Sequence, residues 1–256
     1  MTRQYSCVVG VGTEAANSHR RALASIPNHF RIVETGPADV VLWGHRADAD
    51  LASARAVVLD DLLAAPAAAS SARLVIPALR FLPLLSANGL FELAAGRKFT
   101  SLELNSTVPV ETTNGLALSL LEQLAILRIL SGSRASVAML NSFGTGYLSI
   151  AKLGHPDTAV SLSAVLGGHD EGDLSVQAVS PTERIEAHIG AGATARPASI
   201  VHFDSKGSSQ TIPLRQNSLR LTWLSAHEVL SDGGATVPYD LSMLLDDLAT
   251  VRGALV

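Results

Sequence analysis

The stretch Tyr5-Ser-Cys-Val-Val-Gly10-Val-Gly12-Thr-Glu-Ala15 decides the fold of this chain. Its first half is a short run of β-forming residues, and its second half is a Gly-x-Gly-x-x-Ala loop that leads into a helical segment. In such a loop the first glycine permits a tight turn and the second lets the backbone approach a pyrophosphate. The third small residue lets the helix close onto the strand. The pattern predicts a dinucleotide site with the pyrophosphate at the helix N-terminus.

An acidic residue ends the second predicted strand. Glu34 follows Gly12 by about 20 residues, the separation at which a carboxylate holds a ribose hydroxyl in dinucleotide-binding folds. The candidate cofactor-binding residues are therefore Gly10, Gly12, Ala15 and Glu34, and the cofactor that they indicate is NAD or NADP. The alternative is a strand–turn–helix corner that needs its glycines for geometry alone.

The connection after this strand is unusually short. Only Thr35, Gly36 and Pro37 separate the predicted strand at residues 29–34 from the next one at residues 38–43. A crossover between parallel strands usually needs at least about 10–12 residues and contains a helix. Either the two strands form a hairpin, or this region is not built as in an ordinary nucleotide-binding fold and lacks the helix that supports the adenosine pocket.

The pattern of predicted elements changes near residue 79. Before it, short apolar strands alternate with helical segments, which indicates a parallel sheet. After it come helices near 84–95 and 114–130, and then period-two segments typical of an antiparallel sheet. We therefore predict an α/β plus α+β fold. A reduced Rossmann-like domain would cover residues 1–78, and an α+β domain of the substrate-binding or dimerisation type, with a large, mostly antiparallel open sheet, would cover residues 79–256.

The composition excludes several classes of protein. Hydrophobic residues make up 47% of the chain and charged residues only 16%, and the net charge is −4. The chain is too apolar to be disordered, and it has no basic stripe for nucleic acid. No segment is apolar for the roughly 20 residues of a membrane span, and no leader is recognisable, so a cytoplasmic protein without membrane contact is expected. One cysteine, Cys7, and scattered histidines predict no metal site.

The chain resembles the Gfo/Idh/MocA (glucose–fructose oxidoreductase / inositol dehydrogenase) family. The resemblance runs through the glycine loop with His19, the strand at residues 38–43 and the Arg80-Phe81 junction, and continues into the strands near 157–177 and 183–186. It implies a nucleotide-binding half, followed by a half whose open sheet carries substrate on one face and a partner subunit on the other. With the apolar composition, this predicts a homodimer or larger oligomer formed through the open sheet.

The resemblance also assigns three positions to catalysis. The family uses a lysine in a Glu-Lys-Pro segment, where this chain has Asp60-Asp61-Leu62, so Asp61 replaces the lysine. It also uses an aspartate and a histidine four residues apart on a helix after two glycines. Asn114-Gly115 matches that glycine pair, so Ser119 and Gln123 replace the two catalytic residues.

These replacements disfavour alcohol dehydrogenation. Serine and glutamine cannot take a hydroxyl proton near neutral pH. A carboxylate at Asp61 could act as a base, but it would repel the developing alkoxide that a lysine stabilises. The structural alternative is a solvated turn or helix N-terminus at Asp60-Asp61, with Ser119 and Gln123 lining a polar seam between the two halves or a pocket wall.

Three functions remain open. The first is a divergent family member that binds or acts on a small-molecule ligand in a biosynthetic pathway, as a non-redox enzyme or as a binding or scaffold subunit. The second is an NAD(P)-dependent oxidoreductase that uses a reduced nucleotide site, for example an imine or enone reductase. The third is an interaction subunit that pairs with a full-length relative. Whether the chain is an enzyme is left open.

Overall fold

The computed structural model describes residues 3–10, 13–34, 36–44, 53–64, 74–110, 114–154, 157–167, 172–190, 198–232 and 237–255. The chain forms two compact units. The first unit contains the chain up to Leu79 together with Gln216–Leu245, and the second contains Arg80–Arg215 and Asp246–Val256.

The first unit is built on a five-stranded parallel sheet. Its strands are β1 (Tyr5–Val8), β2 (Phe30–Val33), β3 (Val40–Trp43), β4 (Ala56–Leu59) and β5 (Val75–Pro77), in the order β2-β1-β3-β4-β5. Its described helices are α1 (Glu14–Ala24), α5 (Ser218–Asp232) and the beginning of α6 (Leu241–Ala254). Every residue of β4 is buried, as expected of a parallel strand that is covered on both faces. The predicted Rossmann-like sheet is confirmed.

The short connection between β2 and β3 crosses β1. Both strands pair with β1 in parallel, one on each side, so the hairpin alternative is wrong. Val33 at the end of β2 is paired with Val8 of β1, and Val40 at the start of β3 is paired with Cys7 of β1. Between β2 and β3 the chain therefore crosses two strand spacings but moves back along β1 by only one residue. The Asp39 carboxylate accepts hydrogen bonds from the backbone N–H and the hydroxyl of Ser6, at 2.9 and 2.8 Å. Because β3 starts this late along β1, no helix is needed to bring the chain back.

Helix α5 corrects the predicted domain division. The sequence prediction gave residues 79–256 to the second domain, but Gln216–Leu245 belongs to the first unit. The physical reason is burial, because Trp223, Ala226 and Leu230 of α5 pack in the same core as Tyr5 and the other apolar residues of the parallel sheet. The chain enters the second unit at Leu79–Arg80 and returns to the first unit at Gln216.

The second unit contains an eight-stranded sheet. Its order is β13-β12-β11-β10-β6-β9-β8-β7. Among the described strands only β6 and β9 pair in parallel, so the predicted mostly antiparallel sheet is confirmed. The strands are β6 (Ser101–Pro109), β7 (Ser136–Phe143), β8 (Gly146–Lys152), β9 (Ala159–Gly167), β10 (Asp173–Val179), β11 (Arg184–Gly190), β12 (Ser199–Asp204) and β13 (Gly207–Gln210).

Among the described residues of the second unit, three helices come before the sheet or pack on it, and the end of α6 also belongs to this unit. The predicted helix near 84–95 consists of two short helices, α2 (Leu82–Ala87) and α3 (Leu90–Ala94), because Gly89 between them has a φ of +83°. The long helix α4 (Gly115–Ser131) packs on β6 and β9. No helix among the described residues is long and apolar enough to cross a membrane.

The sheet face turned away from α4 has a polar part and an apolar part. On the polar part, Ser163 donates to Asn105 and Asn105 donates to Glu103. On the apolar part, five large side chains are about half exposed, and we call them the β7–β9 patch: Met139, Phe143, Leu148, Ile150 and Val165.

Candidate nucleotide site and the predicted catalytic positions

The candidate nucleotide site lies at the carboxyl ends of the strands of the first unit. In an open parallel sheet, ligands bind outside these ends, at the point where the strand order reverses. Here that point is between β1 and β3, because β2 lies on the other side of β1. Gly10 follows β1, Glu34 follows β2, Gly44 follows β3 and Asp60 follows β4.

Of the four predicted cofactor-binding residues, the structure describes Gly10, Ala15 and Glu34, and all three lie near this edge. Gly10 is buried, and Glu34 is exposed at the end of the neighbouring strand. Ala15 lies in the first turn of α1, whose N-terminus is capped by the Thr13 hydroxyl, which accepts from the Ala16 N–H at 3.1 Å. Gly12 lies outside the described residues.

Arg20 holds the loop that follows β1. Its guanidinium donates to the carbonyl oxygens of Gly10 and Val9, at 3.2 and 3.1 Å. These two hydrogen bonds fix the backbone at Val9 and Gly10, directly after β1. Helix α1 is therefore joined to the end of the β1 segment through the Arg20 side chain.

The backbone segments at the carboxyl ends of β3 and β4 approach each other closely at Gly44. This glycine has a φ of +122°, and a Cβ on it would lie 2.9 Å from the backbone nitrogen of Asp61. The Asp60 N–H also donates to the Trp43 carbonyl at 3.0 Å. Any larger residue at position 44 would therefore push the Asp60-Asp61 segment away from the end of β3.

A buried histidine faces Asp60. Trp223 Nε1 donates to His19 Nδ1 at 3.1 Å, and His19 Nε2 lies 3.2 Å from Asp60 Oδ1. The distance is that of an ion pair, although the angle at Nε2 is not that of a good hydrogen bond. Both ring systems are buried, whereas the Asp60 side chain is 22% exposed.

Asp61, which the resemblance assigns to the position of the family's lysine, is part of a turn. Its side chain is exposed, and Oδ1 accepts a hydrogen bond from the Ala64 N–H at 3.2 Å. The carboxylate stabilises the turn that follows β4. For Asp61 this geometry is that of the solvated-turn alternative, whereas the Asp60 side chain is only 22% exposed.

Gln123, which the resemblance assigns to the position of the family's histidine, is fully buried between α4 and the sheet. Its Nε2 contacts Ser163 O at 2.7 Å, Ser106 Oγ at 2.9 Å and Leu104 O at 3.4 Å. Its Oε1 accepts from the Tyr147 hydroxyl at 2.8 Å. The amide therefore has polar contacts at both ends inside the second unit.

Ser119 lies one helical turn before Gln123 and is also buried. Among the described residues its hydroxyl has no partner in good hydrogen-bonding geometry, although it lies beside Tyr147. Burial raises the pKa of the Tyr147 phenol above its ordinary value, and the neighbouring Ser119 hydroxyl opposes this only in part. The predicted seam would lie between the two halves of the chain, whereas Ser119 and Gln123 lie between α4 and the sheet within the second unit.

Glu122 is a buried acid that the sequence reasoning missed. Its carboxylate accepts hydrogen bonds from the backbone N–H groups of Phe81 and, at 3.4 Å, Leu82, at the start of α2. Burial raises the pKa of Glu122 to about 7, and these N–H groups and Arg80 lower it in part. The available signal was an acidic residue within the apolar run Leu120-Leu121-Glu122-Gln123-Leu124.

The described residues contain no group of three or more His, Cys, Asp and Glu side chains that could hold a metal ion. His155 and His169 lie outside the described residues. The buried Cys7 is not an activated thiol, because desolvation raises its pKa to about 12.

Comparison with solved structures supplies the relatives of this fold. UDP-N-acetylglucosamine 3-dehydrogenase GnnA from Acidithiobacillus ferrooxidans matches with a TM-score of 0.69 at 11% identity, over 99% of this chain and 97% of that one. KijD10, a 3-ketoreductase from Actinomadura kijaniata in complex with NADP and TDP-benzene, matches with a TM-score of 0.68 at 11% identity, over 100% and 97%. The chain has the Gfo/Idh/MocA fold.

A third structure with this fold is a putative NADPH-dependent oxidoreductase from Desulfitobacterium hafniense, with a TM-score of 0.67 at 11% identity, over 98% of this chain and 94% of that one. No family model and no curated protein matches the sequence. At this level of sequence identity, structural likeness shows the Gfo/Idh/MocA fold alone, and the activity has to be argued from the residues of this chain.

Proposed function

We propose that this chain is a divergent protein of the Gfo/Idh/MocA fold that binds or transforms a small metabolite without the alcohol dehydrogenation of the family. The observation that carries the proposal is the hydrogen bonding of Gln123. An amide that donates to a serine hydroxyl and a main-chain carbonyl, and accepts from a buried tyrosine, is part of the core. It has no proton to exchange with a substrate near neutral pH.

The other two matching positions support the same proposal. Asp61 has the charge opposite to that of a lysine and caps a turn, and Ser119 is a buried hydroxyl on the same face of α4 as Gln123. A base for hydride transfer from an alcohol would have to come from elsewhere. This favours a non-redox enzyme or a binding subunit.

We also propose that the first unit binds a dinucleotide, and that it prefers NAD to NADP. The buried Gly10, the loop held by Arg20 and the carboxylate of Glu34 after β2 support dinucleotide binding. A carboxylate at the end of the second strand accepts from a ribose 2′-hydroxyl and repels a 2′-phosphate. KijD10 was solved with NADP, so this preference would distinguish the two proteins.

The test is a titration of the purified chain with NADH and NADPH, followed by tryptophan fluorescence. We expect a Kd for NADH below about 100 µM, equivalent to about −5.5 kcal/mol, and weaker binding of NADPH. Gly12→Asp should abolish the binding, whereas Glu228→Gln, a change of one exposed carboxylate on α5, should leave it unchanged. Absence of binding at millimolar NADH would refute the nucleotide site.

The second candidate is an NAD(P)-dependent oxidoreductase that reduces an imine or an enone. The dehydrogenase and ketoreductase structures of the same fold favour it. Such a reaction could take its proton from water and would not need the positions of Ser119 and Gln123. Consumption of NADH with a cyclic imine or an α,β-unsaturated ketone, scaled with enzyme concentration, would favour this candidate over the first.

We propose a homodimer through the uncovered face of the eight-stranded sheet. The β7–β9 patch places five half-exposed apolar side chains on neighbouring strands of this face, and a second copy would remove them from water. The alternative partner, a full-length relative, would use the same face. Co-purification of such a protein with a chain that is otherwise monomeric would support the alternative.

A further inference from the structure

Two histidines are in contact where α5 meets the amino ends of the strands of the parallel sheet. The rings of His29, directly before β2, and His227 of α5 are nearly perpendicular, and their centroids are 4.5 Å apart. The backbone of His29 is fixed on both sides, because its N–H donates to Ile26 O at 3.0 Å and its carbonyl accepts from the Tyr5 N–H at 2.9 Å. The end of β1 thus holds His29 against α5.

The two rings differ in what their nitrogens contact. His227 Nε2 lies 2.9 Å from the carbonyl oxygen of Arg3, which can only accept, so this nitrogen carries a proton. His227 Nδ1 lies 3.4 Å from the Ser231 hydroxyl, which can serve either a bare or a protonated nitrogen. His29 Nδ1, by contrast, is buried and has no hydrogen-bond partner among the described residues. The site can therefore satisfy a second proton on His227 but not a proton on His29 Nδ1.

The surroundings of His29 favour its neutral form. The neutral ring can carry its single proton on Nε2, whereas the imidazolium must also place an N–H at the buried Nδ1, where it meets no acceptor among the described residues. Desolvation, His227 and the Arg220 guanidinium, in that order, lower the pKa of His29 below its ordinary value of 6.5. Both of these side chains belong to α5, so the helix itself opposes the charge.

The other charged groups at this end of the sheet do not compensate an imidazolium at His29. The guanidinium groups of Arg3 and Arg55 lie 5.4 and 5.2 Å from the centre of the Tyr5 ring. The Asp39 carboxylate is 3.7 Å from Arg55 and also accepts from the N–H and the hydroxyl of Ser6. The two acids near the end of α5 are exposed to solvent: Glu228 and Asp232.

We propose that His29 and His227 form a pH-sensitive latch, which holds α5 on the parallel sheet while His29 is neutral and releases it when His29 is protonated. The latch goes beyond the proposed function, because it needs no ligand. Helix α5 packs on α1 and contributes Trp223 to the core of the first unit, so its release would uncover apolar side chains there.

The direction of the pH dependence follows from the proton affinity of His29. The folded chain binds this proton more weakly than the unfolded chain, because the pKa is lowered on folding. The stabilisation is therefore complete above pH 6.5 and is lost as the pH falls through the lowered pKa. This direction is opposite to that expected for a buried carboxyl group whose pKa is raised.

Amide hydrogen exchange of the full chain at about pH 7.5 and about pH 5.5, corrected for the intrinsic exchange rates, tests the latch. In the wild-type chain, peptides from α5 should lose protection at the lower pH by about fivefold or more relative to β6–β13. His29→Asn cannot become charged and should keep the protection of α5. His188→Asn is the matched control, because His188 is exposed on β11 and its replacement should leave the wild-type response unchanged.

Arg220→Gln is a second test that retains both histidines. Removing this cation should shift the loss of α5 protection to lower pH, because His29 then faces one positive charge fewer. This shift tests the latch even if His29→Asn does not fold. An unchanged pH response in Arg220→Gln would count against the role of His29.

Three further results would overturn the proposal. The first is equal protection of α5 at both pH values in the wild-type chain. The second is an equal loss in His29→Asn and in the wild type, which would assign the effect to another group, such as His19. The third is a loss in β6–β13 as large as that in α5, because the whole chain would then unfold instead of releasing one helix.

Discussion

Gln123 and Glu122 are adjacent on α4, and each satisfies polar groups that would otherwise be buried without partners. The amide of Gln123 links the helix to β6, β8 and β9 of the sheet. The carboxylate of Glu122 binds the first N–H groups of α2. The spacing of positions 119 and 123 predicts that they share one face of a helix. The spacing does not predict what that face contacts, because this depends on the assembled sheet.

Replacing Gln123 should cost stability rather than ligand binding. Gln123→Ala leaves the Tyr147 hydroxyl and the Ser106 hydroxyl without this partner in the core, at about 1–3 kcal/mol for each group left unsatisfied. Urea denaturation should show this loss, with NADH affinity unchanged in the folded protein. Gln177→Ala is the control, because Gln177 hydrogen bonds Glu186 away from the core, and it should cost less than about 0.5 kcal/mol. Unchanged stability in Gln123→Ala would contradict the structural role.

Glu122 should make the stability of the chain depend on pH. Its pKa is about 7 in the folded protein and ordinarily 4.5, so the folded state holds the proton more tightly than the unfolded state. The stabilisation is complete below pH 4.5 and is lost as the pH rises through about 7, with an upper bound of roughly 3 kcal/mol. Glu122→Gln remains neutral and keeps an acceptor oxygen for α2.

The measurement is the free energy of unfolding of both proteins between pH 5 and pH 8. The difference between wild type and Glu122→Gln should shift in favour of the variant as the pH rises. Comparing the two proteins cancels the contribution of the other titrating groups. If the difference stays constant over this range, the carboxyl of Glu122 does not titrate there.

Some secondary-structure elements could be predicted from the sequence, and others could not. β3 and β4 are short, apolar and buried, and their residues alone indicate a parallel sheet. β6 was missed although every second residue of Ser101–Pro109 is buried, and so was α5. The apolar face of α5 explains where it packs, but only the assembled core shows that it returns to the first unit.

Placing a charge on the buried face of α5 should destabilise the parallel sheet of the first unit. Ala226 is fully buried there, and Ala226→Asp buries an unpaired carboxylate at a cost of several kcal/mol. Hydrogen exchange should show lost protection in β1–β5 and retained protection in β6–β13. Glu228→Ala, on the exposed face of α5, should leave both patterns unchanged. Loss confined to β6–β13 would contradict the assignment of α5 to the first unit.

In the whole molecule, the hydrophobic cores of the two units account for only part of the large excess of hydrophobic over charged residues in the sequence. The β7–β9 patch remains exposed on one chain, and the composition could predict a shared surface but not its location. Which strands carry it followed from the order and register of the eight-stranded sheet, which depend on pairings distant in sequence.

Native mass spectrometry of the wild-type chain should find a dimer. Charged residues introduced into the β7–β9 patch should dissociate it. The double change Leu148→Asp and Ile150→Asp places two carboxylates on one strand of the uncovered face, where a two-fold contact would bring four of them together. The variant should be a folded monomer. Ile212→Asp is the control, because this side chain is 87% exposed in the segment between β13 and α5 and should leave the dimer intact. A monomeric wild-type chain without a co-purifying partner would refute the proposal.

The return of the chain to the first unit at Gln216 has a consequence during synthesis. The residues between Leu79 and Gln216 form the bulk of another unit, and a ribosome adding about 5–20 residues per second needs on the order of ten seconds to make them. During that time the parallel sheet is already outside the ribosome, but the hydrophobic pocket for Trp223 has no occupant. Nascent chains should therefore bind holdase chaperones through the Tyr5 side of the sheet until α5 emerges.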